Sequence, residues 1–206
     1  MSNDFSELQL DALTEICNIA ANTAASALSQ ILDKKINMSV PLVKILPIAT
    51  ATQIMGDPSM LVAGVYSKIY GAFNGGLMLT FPRNDAIMLV DKLMGHSESS
   101  VTLSEIDVSA MQELGNIISA SFVNAIAQII NKTLLISVPK VAFDMLGAIV
   151  DFILIELSQT TTEALILEIE FADDPRTIAG HFFILPDSGS MQLLIESIHI
   201  EEEGAH

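Results

Sequence analysis

The sequence predicts an α+β fold in two layers. An internally duplicated helix–strand–strand–strand–helix unit forms one shared sheet, with helices packed on it and a pseudo-two-fold relation between the copies. Three observations predict this. First, one pattern is written twice at a constant offset: Asp11-Ala-Leu-Thr-Glu15-Ile-Cys-Asn18 followed by Pro41, then Ser109-Ala-Met-Gln-Glu113-Leu-Gly-Asn116 followed, at the same distance, by Pro139. Second, sliding the chain against itself by that offset gives 14 identities over positions 5–44, and many mismatches exchange one apolar residue for another. That match is too extended to be chance. Third, each copy has only three strand-like runs, which favours one common sheet over two independent domains.

The elements follow in order. Ser6-x-x-Gln9 is a capping box and Ser104-x-x-Asp107 a looser version, so a helix is expected to start at each. Helical periodicity continues to about positions 33 and 131. In the first copy Leu10, Leu13, Cys17, Ala20, Ala24, Leu28 and Ile31 form an apolar stripe, while Asp11, Glu15, Asn18 and Asn22 recur on a different, wet face. Runs at 36–47 and 134–143 then read as strands, each with its Pro near the middle, where a missing donor calls for an edge or bulge. Further strands are expected at 60–70 and 75–81, and at 164–171 and 178–185. Each copy closes on Pro followed by a helix, 83–95 and 187–198. The segment 145–157 has no strong counterpart and reads as a short helix or a strand. The whole is expected as a single domain, 1–206: one repeat over 5–95, a polar connection at 96–103, a second repeat over 103–198, and a tail at 199–206.

Composition excludes several classes. Half of the residues are hydrophobic and 17% are charged, which is incompatible with intrinsic disorder. A formal charge of -16, from 25 acids against 9 bases, argues against nucleic acid as a partner, and no basic cluster suits an anionic membrane. The mean hydropathy of +0.51 raises the question of a membrane span. The longest uncharged run, 114–131, is borderline in length for one, and its three Asn, two Ser and one Gln make it too polar for a lipid-exposed helix. The start MSNDFSELQLD lacks a basic n-region, and a lone cysteine, Cys17, fits a reducing compartment. A cytoplasmic protein is expected.

Glu and Asn at i and i+3 share a helix face, about one turn from each other. A single such pair is common on solvated helices. Two, at the same distance from a Pro while the intervening residues drift, point to paired sites. The four histidines, His96, His181, His199 and His206, lack metal-ligand spacing, so no metal site is expected. Cys17 has no acid–base partner in the pattern and reads as core. Gly75-Gly76 lacks the surroundings of a phosphate loop.

The pattern Asp/Ser-x-x-x-Glu-x-x-Asn, with its Pro at a fixed distance downstream, resembles the signature of the CheC-type chemotaxis phosphatases at every specified position in both copies. The family also includes CheX, with one site per chain, and FliY, which adds a flagellar-switch domain. Two sites, and no room for an added domain, bring this chain nearest to the CheC branch. The resemblance implies hydrolysis of the aspartyl phosphate on a CheY-type response regulator. The regulator supplies its own Mg²⁺ and Lys, and this chain binds no cofactor. What remains is to place one water in line with phosphorus. Asn18 and Asn116 would orient it, because an amide offers water both an acceptor and donors. Glu15 and Glu113 would pair with the regulator's Lys. Asp11 and Ser109 fill the first motif position in supporting roles. The resemblance further implies a partner, the receptor deamidase CheD, for which the apolar run around Asp151 is a candidate contact. A regulator- or CheD-binding adaptor without catalysis is the alternative. A flagellar-switch component is a third reading.

Overall fold

Both long helices begin where the sequence writes their caps. The structure, a computed structural model, describes residues 6–33, 35–47, 50, 56–95, 104–157, 163–173 and 176–203. Its elements run α1 (Glu7–Leu32), β1 (Asn37–Pro47), β2 (Leu61–Gly71), β3 (Gly75–Pro82), α2 (Arg83–Met94), α3 (Glu105–Ile129), β4 (Leu134–Ile136), β5 (Lys140–Met145), α4 (Leu146–Leu157), β6 (Glu163–Asp173), β7 (Arg176–Pro186) and α5 (Ser188–Glu203). At α1 the Gln9 amide donates to Ser6 Oγ at 3.2 Å and the Ser6 amide donates back to Gln9 Oε1 at 2.7 Å. At α3 the looser box closes in the same way, with the Asp107 amide donating to Ser104 Oγ at 3.3 Å and the Ser104 amide to Asp107 Oδ2 at 2.7 Å. Each cap is worth about 1 kcal/mol. The far ends match as well: Asp33 and Asn131, aligned in the two copies, take the left-handed turn with φ of 49° and 50°. Asp and Asn tolerate that conformation better than other side-chain-bearing residues do.

All strands are antiparallel, in the order β1-β6-β7-β3-β2-β4, with β5 also paired to β2. Read from the other end, the order is the same with the copies exchanged. The two-fold relation runs between β3 and β7, where Met78 faces Phe183 and Leu79 faces Phe182. Each copy's first strand lies on the other copy's second strand: β1 on β6, and β4 with β5 on β2. The sheet is therefore shared, as the short strand count predicts.

The expected strand at 134–143 is split. Ser137 leaves the ladder to exchange hydrogen bonds with Lys68: its amide donates to the Lys68 carbonyl, and its Oγ accepts from the Lys68 amide, both at 2.9 Å. Pro139 has no donor to offer, and pairing resumes only at Lys140 opposite Tyr66. In the first copy, pairing with β6 shifts register between Ser39 and Leu42, so Pro41 also sits at an irregularity. Elsewhere the strands at 163–173 and 176–186 outrun the expected 164–171 and 178–185, and α5 continues past 198 to Glu203.

The long helices, α2 and α5 lie against one face of the sheet. In β2, Ala63, Val65 and Ile69 point to that side, while Val62 and Tyr66 point to the other. The ambiguous segment 145–157 proves to be helical. As α4 it covers part of the second face with Leu146, Ile149 and Val150, so β2 and β3 are buried on both sides. On α1, Leu13, Cys17, Ala20, Ala24 and Leu28 are buried as the stripe predicts, whereas Ile31 is exposed. Ala21 and Ala25 widen the stripe, and these small side chains let α1 and α3 pack closely. Phe122 of α3 stacks on Phe182 of β7 with ring centroids 4.7 Å apart, a contact worth about 1 kcal/mol beyond its burial.

Candidate active site

Glu15 and Asn18 lie on α1 next to β1, at one edge of the sheet; Glu113 and Asn116 lie on α3 next to β4 and β5, at the other. In each copy the Glu is exposed and the Asn half-buried. Among the described residues neither Glu15 nor Glu113 makes an ion pair or hydrogen bond, so both carboxylates remain available to a partner. Asp11 is exposed one turn before Glu15. Ser109 is exposed as well, but its hydroxyl donates to the Glu105 carbonyl of its own helix at 2.9 Å.

The two amides differ. Asn18 is tied to the strand beside it. Its Oδ1 accepts from the Val40 amide at 3.1 Å, and its Nδ2 donates to the Val40 carbonyl at 3.4 Å and to the Thr14 carbonyl at 3.0 Å. The Asn116 side chain makes no hydrogen bond among the described residues. Instead it opens, with Gln112 and Glu113, onto a groove of about 210 Å³ whose other wall is the irregular segment 136–139. There the helix-to-strand tie comes from Gln112, whose Nε2 donates to the Pro139 carbonyl at 2.7 Å. Val138, aligned with Val40, is 76% exposed where Val40 is 2% exposed.

Sequence reasoning missed Gln112, Val40 and the carbonyl of Pro139 as parts of these sites. A signal existed for the first: Gln112 lies inside the motif at a position where the copies disagree, aligned with Thr14. The Thr14 hydroxyl turns back to the Leu10 carbonyl at 2.7 Å and does not reach the strand. Cys17 is buried, and burial pushes its thiol up to about 12, which makes it a core side chain and no nucleophile. Among the described residues, no three of His, Cys, Asp and Glu come together as a metal site would require.

Asp151 stands on α4, on the opposite face of the sheet from the Glu/Asn pairs. It is exposed beside Phe152 (51%) and Ile155 (80%), while Leu146, Ile149 and Val150 of the same helix are buried. Under this helix lies a mostly apolar cavity of about 370 Å³ that includes Tyr66, Met78 and Ile149, with Lys140 and Asp144 also lining it.

A family model described as the CheC-like family matches residues 8–45 and 107–142, each span holding one Glu/Asn pair and its Pro. Over 201 residues the chain is 32% identical to "CheY-P phosphatase CheC" of Bacillus subtilis (strain 168), covering 95% of this chain and 96% of that protein. It is 29% identical over 141 residues to "Flagellar motor switch phosphatase FliY" of the same organism, covering 68% of this chain but 36% of that longer protein. Among solved structures, Thermotoga maritima FliY superposes with a TM-score of 0.74 at 21% identity, covering 95% of this chain and 98% of that one. A chain of the H. pylori FliM-SpeE complex follows at 0.70 and 14%, covering 97% and 98%. Both share the fold.

Proposed function

The chain belongs to the CheC-like family, and from that premise we propose that it hydrolyses the aspartyl phosphate of a CheY-type response regulator. The observation that carries this reading is the intact Glu/Asn pair in both copies, its Glu exposed and its Asn half-buried, inside the two spans that the family model matches. The relative that is alike over nearly its whole length bears the name of a CheY-P phosphatase.

An acyl phosphate is already reactive, and the regulator holds the Mg²⁺ and Lys that neutralise the phosphoryl group. The missing component is a water held in line with phosphorus. The side-chain amides of Asn116 and Asn18 orient it, with Oδ1 accepting a hydrogen bond from the water and Nδ2 available to donate one to its oxygen. Glu113 and Glu15, one turn earlier and unpaired among the described residues, dock on the regulator's Lys and set the register. Asp11 and Ser109 support that docking at its margin. No covalent intermediate forms on this chain. A CheY-type substrate implies a cytoplasmic protein; no described helix is long and apolar enough to cross a membrane.

Phosphate release from a phosphorylated regulator is the direct test. The wild type is expected to accelerate it. Glu15→Ala combined with Glu113→Ala is expected to raise KM about tenfold or more, because each change strands a charge on the partner. A wild type that binds the regulator without accelerating phosphate release sinks the enzyme reading and leaves the adaptor.

The exposed end of α4 suits a second protein. Phe152 and Ile155 offer apolar area and Asp151 a carboxylate beside it, away from both Glu/Asn pairs. CheD is the partner proposed for this surface. Asp151→Lys is expected to weaken CheD binding at least tenfold in a calorimetric titration, with phosphate release in the absence of CheD unaltered. Undiminished CheD binding places the contact elsewhere.

A further inference from the structure

Asn18 and Asn116 carry the same proposed role but not the same prior commitments. Orienting water needs an amide whose acceptor and donors are not already taken. The Asn18 amide is engaged at both ends, by the Val40 peptide and by the Thr14 carbonyl. That of Asn116 has no such partners among the described residues and faces an open groove. The difference traces to one position. A long helix lying beside an irregular strand needs a polar tie to satisfy the peptide groups that the interrupted ladder leaves over. In the second copy Gln112 reaches the Pro139 carbonyl and makes that tie. In the first copy the aligned residue is Thr14. It is too short to reach, and its hydroxyl is spent on its own helix. The tie then falls to Asn18.

We propose that Gln112 is a positioning residue: by holding the strand segment at Pro139 it keeps Asn116 disengaged and its groove open, so that the second site is ready in the free protein while the first is latched. This rests on the phosphatase reading above and adds a rank order to its two sites. Unlatching Asn18 means breaking its two hydrogen bonds to Val40. At about a factor of five to ten for each, that holds the ready fraction of the first site one to two orders of magnitude below that of the second. Val138 agrees with the assignment. Freed from a clamp of the Val40 kind, it projects outward beside the groove, where a docking regulator meets it.

Phosphate release from a phosphorylated regulator, measured with full-length variants whose folding is checked by thermal melting, tests this. Asn116→Ala is expected to lower turnover at least about tenfold more than Asn18→Ala does, as the latch arithmetic requires. Conversely, Asn18→Ala should lower the melting temperature more, since it removes the tie to Val40. With the second site isolated by Asn18→Ala, Gln112→Thr is expected to cut kcat about tenfold and leave KM nearly unchanged, because the docking carboxylate Glu113 is untouched. With the first site isolated by Asn116→Ala, Thr14→Gln is expected to raise turnover several-fold. A merely structural role does not predict that gain, and the gain is readable even if Gln112→Thr fails to fold. Equal losses from the two single Asn variants, with no gain from Thr14→Gln, overturn the proposal and leave the phosphatase reading standing. If turnover survives removal of both Asn residues, that reading falls instead.

Discussion

Asn18→Ala combined with Asn116→Ala is expected to abolish nearly all of the phosphate release that the wild type catalyses, about a hundredfold loss, while the protein stays folded and still binds the regulator. The magnitude follows from what the chain contributes. Removing one preorganised hydrogen-bonding group from a reacting centre typically costs about a hundredfold to a thousandfold in kcat. Here no second catalytic group is on offer, since the remaining chemistry belongs to the regulator. Binding survives because Glu15 and Glu113 are intact and make no contacts that depend on the Asn side chains. Folding survives at a calculable cost. Among the described residues the Asn116 side chain holds no partner, whereas Asn18 ties α1 to Val40, so the double variant should lose about 1–3 kcal/mol, the same as Asn18→Ala alone. Turnover, regulator binding and thermal melting together check the prediction. Retained turnover refutes the water-positioning role outright.

Gly115→Ala is expected to lower the melting temperature by several degrees and to impair the second site more than the first. A Cβ at position 115 would collide with Cγ1 of Val65, which is itself buried in the middle of β2. Forcing one carbon into a packed core costs about 1–3 kcal/mol when neighbours must shift. The neighbour here is a β-branched side chain with little rotamer freedom, so the helix has to lift instead. Asn116 is the next residue, and its groove lies between α3 and the segment 136–139 at the sheet edge. The aligned position on α1 is Cys17, buried with a full side chain, so the two long helices sit on the sheet differently at this point. Gly115→Cys, which copies the first repeat, should therefore be worse than Gly115→Ala. A melting curve and the phosphate-release rate in the Asn18→Ala background decide it. An unchanged melting temperature shows that α3 can lift at no cost.

Much of this was legible in the residues alone. The capping boxes at Ser6 and Ser104, the buried stripe from Leu13 to Leu28 and the Gly-to-Pro strands are local patterns, fixed by the periods of helix and strand. The family motif marked both Glu/Asn pairs. What the residues did not disclose depends on pairing. Pro139 announces an irregularity in the run 134–143, but the place of the break is set by Ser137 bonding to Lys68, distant in sequence. The segment 145–157 could read as helix or strand, and nothing local says that it covers the face opposite the long helices. Likewise the difference between Thr14 and Gln112 looks like drift until the fold sets an irregular strand beside each helix, which the Gln side chain reaches and the Thr does not. Hydrogen bonds across elements are set by tertiary placement, which a duplicated motif hides because it makes the two halves look interchangeable.

The crossing of the first strands carries a consequence for how such a chain can change. Because β1 rests on β6, and β4 with β5 rest on β2, each Glu/Asn pair borders a strand held in place by the opposite repeat. The halves cannot come apart and keep their sites, so damage to one repeat is felt by both in a single cooperative collapse. Yet the two repeats are spelled by separate stretches of one chain. Two identical subunits sharing such a sheet would be obliged to alter both sites with every substitution. Here a Gln can stand at 112 while a Thr remains at 14, and a pair of sites inseparable in stability is free to divide the labour.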